Sequence, residues 1–157
     1  MDDPTFSPIR WNRRTLLGAA GGTALAAVLP PMAEATPEEA DAAIREMFGD
    51  KPINEGRVWV KLPPIAENGN SVAIDITVDS PMSDDDHVRR IGIFSPRNPI
   101  ATIAEFRLGP HAGRAQVSTR VRLAGTQTLR VIAEMSDGTL WAGKATTYVT
   151  LAACVIG

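Results

Sequence analysis

Ser71-Val72-Ala73-Ile74-Asp75-Ile76-Thr77-Val78-Asp79 decides the fold class. Val72, Ile74, Ile76 and Val78 fall at every second position, with Ala73, Asp75 and Thr77 between them. A period of two puts the four apolar residues on one face of an extended strand and turns the other face to water. Valine, isoleucine and threonine also suit a pleated, half-buried surface better than a helix. The same alternation recurs in both directions from this stretch. Upstream, Val58, Val60 and Leu62 alternate until Pro63-Pro64 ends the run. Downstream, Ile91-Gly92-Ile93-Phe94 and Ile100 to Leu108 are further strands. Val117, Thr119, Val121 and Leu123 face one way, with Ser118, Arg120 and Arg122 facing the other. Leu129, Val131, Ala133 and Met135 form another inward set. Ser136-Asp137-Gly138-Thr139 has the composition of a hairpin turn, and a final strand runs from Leu140 to about Leu151. About seven short strands separated by Gly, Pro and Asn clusters predict a mainly β, antiparallel sandwich.

Composition agrees with that class. At 157 residues one domain is expected, and 44% apolar with 22% charged residues is globular rather than disordered. With only 4 Phe, 3 Trp and 1 Tyr, the core must be built from Val, Ile, Leu and Ala. A formal charge of −2 leaves no broad basic footprint for nucleic acid. The single cysteine excludes an intramolecular disulfide and any multi-cysteine metal site.

Residues 1–35 carry a different signal. Asn12-Arg13-Arg14-Thr15-Leu16-Leu17 sets paired arginines before an apolar stretch, Leu16 to Leu29. That stretch is too short to cross a ~30 Å hydrocarbon core as a helix. It is also only mildly hydrophobic, being rich in alanine and containing Gly18, Gly21 and Gly22. Arg13 and Arg14 before a weak apolar region resemble a twin-arginine (Tat) export signal. Pro30-Pro31 breaks any helix, and Ala33-Glu34-Ala35 supplies small residues for a signal peptidase. The expectation is cleavage at Ala35 and a periplasmic product without stable membrane insertion. The cut removes Arg10, Arg13 and Arg14 along with Asp2, Asp3 and Glu34, so the charge balance is unchanged. Tat substrates travel folded, often with a partner already bound.

The remaining chain divides into a helix (36–50), the sandwich (51–151) and a terminal arm (152–157). Thr36 is positioned to cap, Pro37 suits the first helical position, and Glu39 completes a capping box. Ala40, Ile44, Met47 and Phe48 recur at helical spacing, and Gly49 stops the helix.

Cys154 is the chemical signal. It lies in Leu151-Ala152-Ala153-Cys154-Val155-Ile156-Gly157, and an unpaired cysteine is unusual in an oxidising compartment. A thiol there is either a small buried hydrophobe or an exposed reactive group. Three residues beyond Leu151 reach ~10 Å from the sheet at ~3.3 Å each. Leu-Ala-Ala-Cys imitates a lipobox, but a lipobox works only directly after a signal peptide. Cys-Val-Ile-Gly imitates a prenylation tail, but glycine is not its usual last residue.

Three stretches carry a family resemblance: Asn98-Pro99-Ile100-Ala101-Thr102, Gly113 to Ala124 (GRAQVSTRVRLA) and Val131 to Gly138 (VIAEMSDG). From about residue 40 onward the chain resembles SoxY, the sulfur-carrier subunit of the periplasmic thiosulfate-oxidising (Sox) system. The resemblance implies an immunoglobulin-like sandwich that forms a heterodimer with a second sandwich protein, SoxZ. It also implies that Cys154 is the covalent sulfur attachment site, on a carrier rather than an enzyme and with no cofactor. Thiosulfate would be attached by a SoxXA-like haem enzyme and sulfate released by a SoxB-like hydrolase. A sulfane dehydrogenase would oxidise the remaining sulfur. The family tail is usually Gly-Gly-Cys-Gly-Gly, whereas here Ala152-Ala153 precede the cysteine and Val155-Ile156 follow it. Valine and isoleucine stiffen and thicken an arm that glycine would leave slender. The reading set against the carrier is a periplasmic binding or assembly module whose cysteine is structural or forms an intermolecular disulfide; such a bond through Cys154 would link a homodimer. A thiol redox enzyme lacks a resolving partner for this cysteine.

Other candidates carry less chemistry. Asp84-Asp85-Asp86-His87 imitates a metal cluster, but consecutive carboxylates point apart and a solvated loop is expected. His111 is a turn residue, and Trp59, Trp141 and Tyr148 are expected as core or interface aromatics. Arg120 and Arg122 form either a plain solvated face or a contact for an acidic partner edge. No residue set suggests a catalytic or metal role.

Overall fold

The computed structural model describes residues 34–152. Arg13, Arg14 and Cys154 lie outside them. Helix α1 (Pro37–Phe48) begins as its sequence predicts. Thr36 Oγ1 accepts the Glu39 amide at 3.2 Å, and the Glu39 carboxylate accepts the Thr36 amide at 2.9 Å. Ala40, Ile44 and Phe48 form its buried stripe.

Among the described residues nine strands follow: β1 (Ile53–Glu55), β2 (Val58–Lys61), β3 (Ile65–Ala66), β4 (Val72–Val78), β5 (Val88–Phe94), β6 (Thr102–Arg107), β7 (Gln116–Val121), β8 (Gln127–Met135) and β9 (Leu140–Val149). They make two sheets. The larger has the order β1-β9-β8-β5-β6 with β3 also beside β9, and the smaller is β2-β4-β7. Between them lies a core of aliphatic side chains, including Ile74, Ile76, Ile91, Ile93, Leu129 and Val131. The helix packs on the outer face of the larger sheet, where Ile44 and Phe48 meet Phe94, Ile132 and Leu140. Strands β5 and β8 are therefore buried on both faces over Ile91–Phe94 and Val131–Met135. This explains why their sequences alternate less cleanly than β4, whose outer face is open.

The mainly β sandwich expected from the alternation is present, with pairings antiparallel except at two places. Strands β1 and β3 both run parallel to β9, Ile53 opposite Leu140 and Ile65 opposite Tyr148. Strands of three and two residues are too short to show any period, so the sequence carried no signal for them. Between these two contacts the chain leaves the larger sheet, turning at Gly56 (φ 112°), and joins the smaller one as β2. The crossing passes over Gly143. A Cβ at that position would lie 2.5 Å from the Val58 carbonyl oxygen and 2.8 Å from its side chain. The Ser136–Thr139 hairpin joins β8 to β9 as expected, with Gly138 at φ 83°. Aromatic placement narrows the expectation of core or interface residues. Trp59 is 55% exposed on the outer face of the small sheet and Tyr148 is 64% exposed, so neither is a core residue. Trp141 is half-buried beneath the Arg57 guanidinium, 5.4 Å from its ring centre.

One charge is nearly enclosed. Glu134 on β8 accepts from Arg90 Nε at 2.7 Å and from Lys51 Nζ at 3.3 Å, and its side chain is only 7% exposed. Arg90 also lies over the Phe48 ring, so the cluster joins the end of α1 to the sheet. Burial pushes the Glu134 carboxyl up, but hydrogen bonds and charge from Arg90 and Lys51 outweigh it and hold the group below its ordinary 4.5. A carboxyl depressed in the folded state contributes stability above its unfolded pKa, and that stability is lost as pH falls through the folded value.

Two outcomes are expected. Gly143→Ala should lower stability by about 1–3 kcal/mol, because backbone rather than a flexible side chain must yield, as read from the urea midpoint. Glu134→Gln should cost about 1–3 kcal/mol at pH 7. Its deficit against the parent protein should narrow as pH is lowered below 4.5; a deficit constant with pH would assign the loss to packing instead.

Candidate functional site: the root of the cysteine arm

The sequence directs attention to the end of β9, from which the cysteine departs. Segment 63–69 runs beside that end as a strap. Thr147 Oγ1 donates to the Pro63 carbonyl at 2.7 Å, and the Tyr148 amide donates to Pro64 at 3.0 Å. The Thr150 amide donates to Ala66 at 3.0 Å, and its hydroxyl donates to the Glu67 carbonyl at 2.8 Å. Finally, the Gly69 amide donates to the Leu151 carbonyl at 2.7 Å. Pro63-Pro64, which ends β2, supplies carbonyls while lacking amide donors of its own. The same sequence feature thus stops one strand and receives the last one. Main-chain order is secured as far as Leu151, and only Ala152 and Ala153 separate it from Cys154.

Exposed apolar side chains occur near this root. Ile65 and Tyr148 are register partners, 63% and 64% exposed, and Leu151 is 66% exposed. Sequence reasoning placed Tyr148 in a core or interface and did not single out Ile65. No local pattern marks it, because its position depends on pairing with a strand more than eighty residues away.

The other candidates are placed as follows. Asp84 to His87 form a turn in which the Asp86 amide donates to Ser83 Oγ and the Asp86 carboxylate pairs with Arg57 at 3.4 Å. His87 Nδ1 lies 3.1 Å from the Ser83 carbonyl, and no metal-holding cluster occurs among the described residues. His111 is exposed in a single 3-10 turn. Arg120 turns back to Ser71, with Nε donating to its hydroxyl at 2.7 Å. A groove of about 430 Å³ runs between the free edges of β6 and β7 past Ile100, Ile103, Arg120 and Arg122. Another, of about 670 Å³, lies beside α1, where Arg130 pairs with Asp41. Ala35 is buried, its amide donating to the Asn98 carbonyl at 3.0 Å, while Glu34 pairs with Arg97.

The stretches that carried the family resemblance turn out to be architectural. Asn98 Oδ1 accepts from the Ala124 amide and from Gln127 Nε2, while Asn98 Nδ2 donates to the Arg122 carbonyl at 2.8 Å. Ser95 Oγ donates to Gln127 Oε1 and accepts the amides of Arg97 and Asn98. Among the described residues no buried side-chain polar atom is left without a partner, as a well-specified core requires.

Comparison with known proteins is consistent with this geometry. The family described as "Sulfur oxidation protein SoxY" matches residues 44–154, a span that ends on Cys154. The chain belongs to the SoxY family. The sulfur carrier protein SoxY from Chlorobium limicola f thiosulfatophilum is similar in structure (TM-score 0.62) and 32% identical. That match covers 73% of this chain and 98% of that one. SoxY is a carrier family and not itself catalytic. The superoxide reductase (neelaredoxin) of Ignicoccus hospitalis shares the fold alone, at TM-score 0.53 and 17% identity over 74% of this chain and 94% of that one. No curated protein matches the chain. No helix among the described residues is long and apolar enough to cross a membrane.

The strap predicts a measurable rigidity. Thr150→Val removes the bond to Glu67 and should speed amide exchange at Gly69 and Tyr148 about two- to tenfold, the equivalent of one net hydrogen bond. Unchanged exchange would mean that the strap is held by its neighbours instead.

Proposed function

We propose that this SoxY-family protein is a covalent carrier of thiosulfate oxidation that holds sulfur intermediates on Cys154. The observation that supports this most is the secured root. Cys154 is three residues beyond Leu151 in sequence, so its α-carbon can be no more than ~10 Å from the hydrogen-bonded end of the sheet. A carrier needs this combination, a fixed base and a short reach. A structural thiol has no use for it.

Sulfur suits the task because its linkage forms and breaks in two-electron steps. Loading joins Cys154 Sγ to the outer sulfur of thiosulfate, and the two electrons released pass to a SoxXA-like haem enzyme. A SoxB-like hydrolase adds water across the terminal S–S bond. Sulfate and two protons leave, and a persulfide remains on the cysteine. A sulfane dehydrogenase-like enzyme withdraws six electrons from the outer sulfur as three waters supply its oxygens. A second hydrolysis then frees the thiolate. The Val155-Ile156 pair makes this arm bulkier than the glycine tail usual in the family, so its partners must have correspondingly wider channels.

The carrier works as a heterodimer with a SoxZ-like subunit, in the periplasm, after export by the twin-arginine pathway on the signal at Arg13 and Arg14. Cleavage at Ala35 would leave Thr36 as the new N-terminus. Its amino group would then face the Glu39 carboxylate that already accepts the Thr36 amide, so the helix cap survives the cut.

Processed protein incubated with thiosulfate and its haem enzyme should gain the mass of one adduct on the C-terminal peptide. Cys154→Ser should gain none. An adduct retained by the serine variant would place the carrier atom elsewhere and overturn the assignment.

A further inference from the structure

Cleavage after Ala35 requires a peptidase to reach the Ala35 carbonyl, yet Ala35 belongs to the folded body. Only 6% of the residue is exposed, although Glu34 and Thr36 on either side are exposed. Its amide donates to the Asn98 carbonyl at 3.0 Å. One residue earlier, the Glu34 carboxylate pairs with the Arg97 guanidinium at 3.4 Å. One residue later, Thr36 closes the capping box, and its carbonyl accepts the Ala40 amide at 3.0 Å. The bond to be cut therefore lies between a buried alanine and the capping residue of a helix.

The receiving side is equally fixed. Asn98 is buried, its amide donates to Ser95 Oγ at 2.8 Å, and its side chain bonds to Arg122, Ala124 and Gln127. Arg97 also donates to the Thr126 carbonyl at 3.1 Å. A loop braced in this way cannot follow Ala35 outward, so residues 34 and 35 must leave it. A protease, for its part, takes its substrate as an extended strand, with main-chain hydrogen bonds and pockets for alternate side chains. Signal peptidase reads the small side chains of Ala33 and Ala35. Peptidase and folded body thus compete for one methyl group, and the body already holds the Ala35 amide. A precursor exported folded meets the peptidase with these contacts made.

Resting on the reading of Ala35 as the cleavage point, we infer that the Arg97–Asn98 loop is a latch that closes the Ala35–Thr36 bond to signal peptidase. Processing then proceeds only through local release of residues 34 and 35. The reaction is a hydrolysis in which water adds to the Ala35 carbonyl carbon and the bond to the Thr36 nitrogen breaks. A carboxylate and an ammonium group result, and water is the sole co-reactant. Release gives up one main-chain hydrogen bond, one exposed ion pair and the burial of one methyl group, and it leaves helix and sheets in place. The cleavage rate follows the fraction of molecules with the latch open.

The full precursor, residues 1–157, is incubated in detergent with the signal peptidase of the same host, beside a peptide of residues 10–42 as the unlatched control. Both should be cut between Ala35 and Thr36, the precursor about tenfold or more slowly. Ala35→Gly keeps a small residue for the peptidase but gives up the buried methyl group. Arg97→Ala removes the ion pair and leaves every residue the peptidase reads unchanged. The glycine variant should be cut several-fold closer to the rate of its own peptide, and Arg97→Ala about two- to fivefold faster than the parent precursor. Amide exchange at residue 35 should quicken in step, while exchange in β8 keeps its parental rate. A parent precursor cut as fast as the peptide would overturn the latch, as would cutting that neither variant accelerates. Acceleration matched by faster exchange in β8 would also overturn it, by assigning the effect to global unfolding. A peptide left uncut, or a product that does not begin at Thr36, would instead bring down the reading of Ala35 as the cleavage point.

Discussion

The Val58 carbonyl and Gly143 share a space that admits no side chain, and the architecture depends on that closeness. Strand β9 is flanked on one side by β8 and on the other by a single segment that touches it twice and leaves between the touches. The departure carries the chain from one sheet to the other and so closes that side of the sandwich. If the crossing were displaced, β2 would lose its place beside β4, and the strap at 63–69 would lose its alignment with the end of β9. The arm root is thus fixed by a close approach roughly midway along the strand that bears it.

Polar groups complete what the aliphatic core begins. Glu134 is taken out of water but compensated by two cations, one of which also covers the Phe48 ring, so helix and sheet are joined by charge as well as packing. At the opposite end of β8, Asn98 and Gln127 hold the loop after β5 against the turn between β7 and β8. A buried amide that satisfies three backbone or side-chain partners specifies one loop path in a way that apolar contacts do not. This accounts for a family signature that includes residues of structural rather than chemical use.

Much of the fold was legible because burial on one face writes a period into the sequence. Val72 to Val78 shows it plainly, and the capping box of Thr36 and Glu39 announces the helix by local chemistry alone. Legibility fails where structure depends on distant partners. Ile53–Glu55 and Ile65–Ala66 become strands only because β9 is there to receive them. Trp59 and Tyr148 have the composition of core residues, yet they point outward from a sandwich that Val, Ile and Leu already fill. At the candidate site the cysteine was visible at once, and its lack of a second cysteine was enough to make it notable. The strap was not visible, since Pro63, Pro64, Ala66, Glu67 and Gly69 take part through backbone atoms, and the Thr147 and Thr150 hydroxyls that meet two of them carry no mark of a distant partner.

Securing the backbone as far as Leu151 also bears on the strength of binding the carrier requires. A group tethered within ~10 Å of a fixed strand end reaches an effective concentration of at least millimolar order at a surface that meets that end. At such a local concentration the contact itself can be weak, and a weak contact dissociates quickly. A carrier that passes its cargo on gains from this, because each contact ends soon after the chemistry.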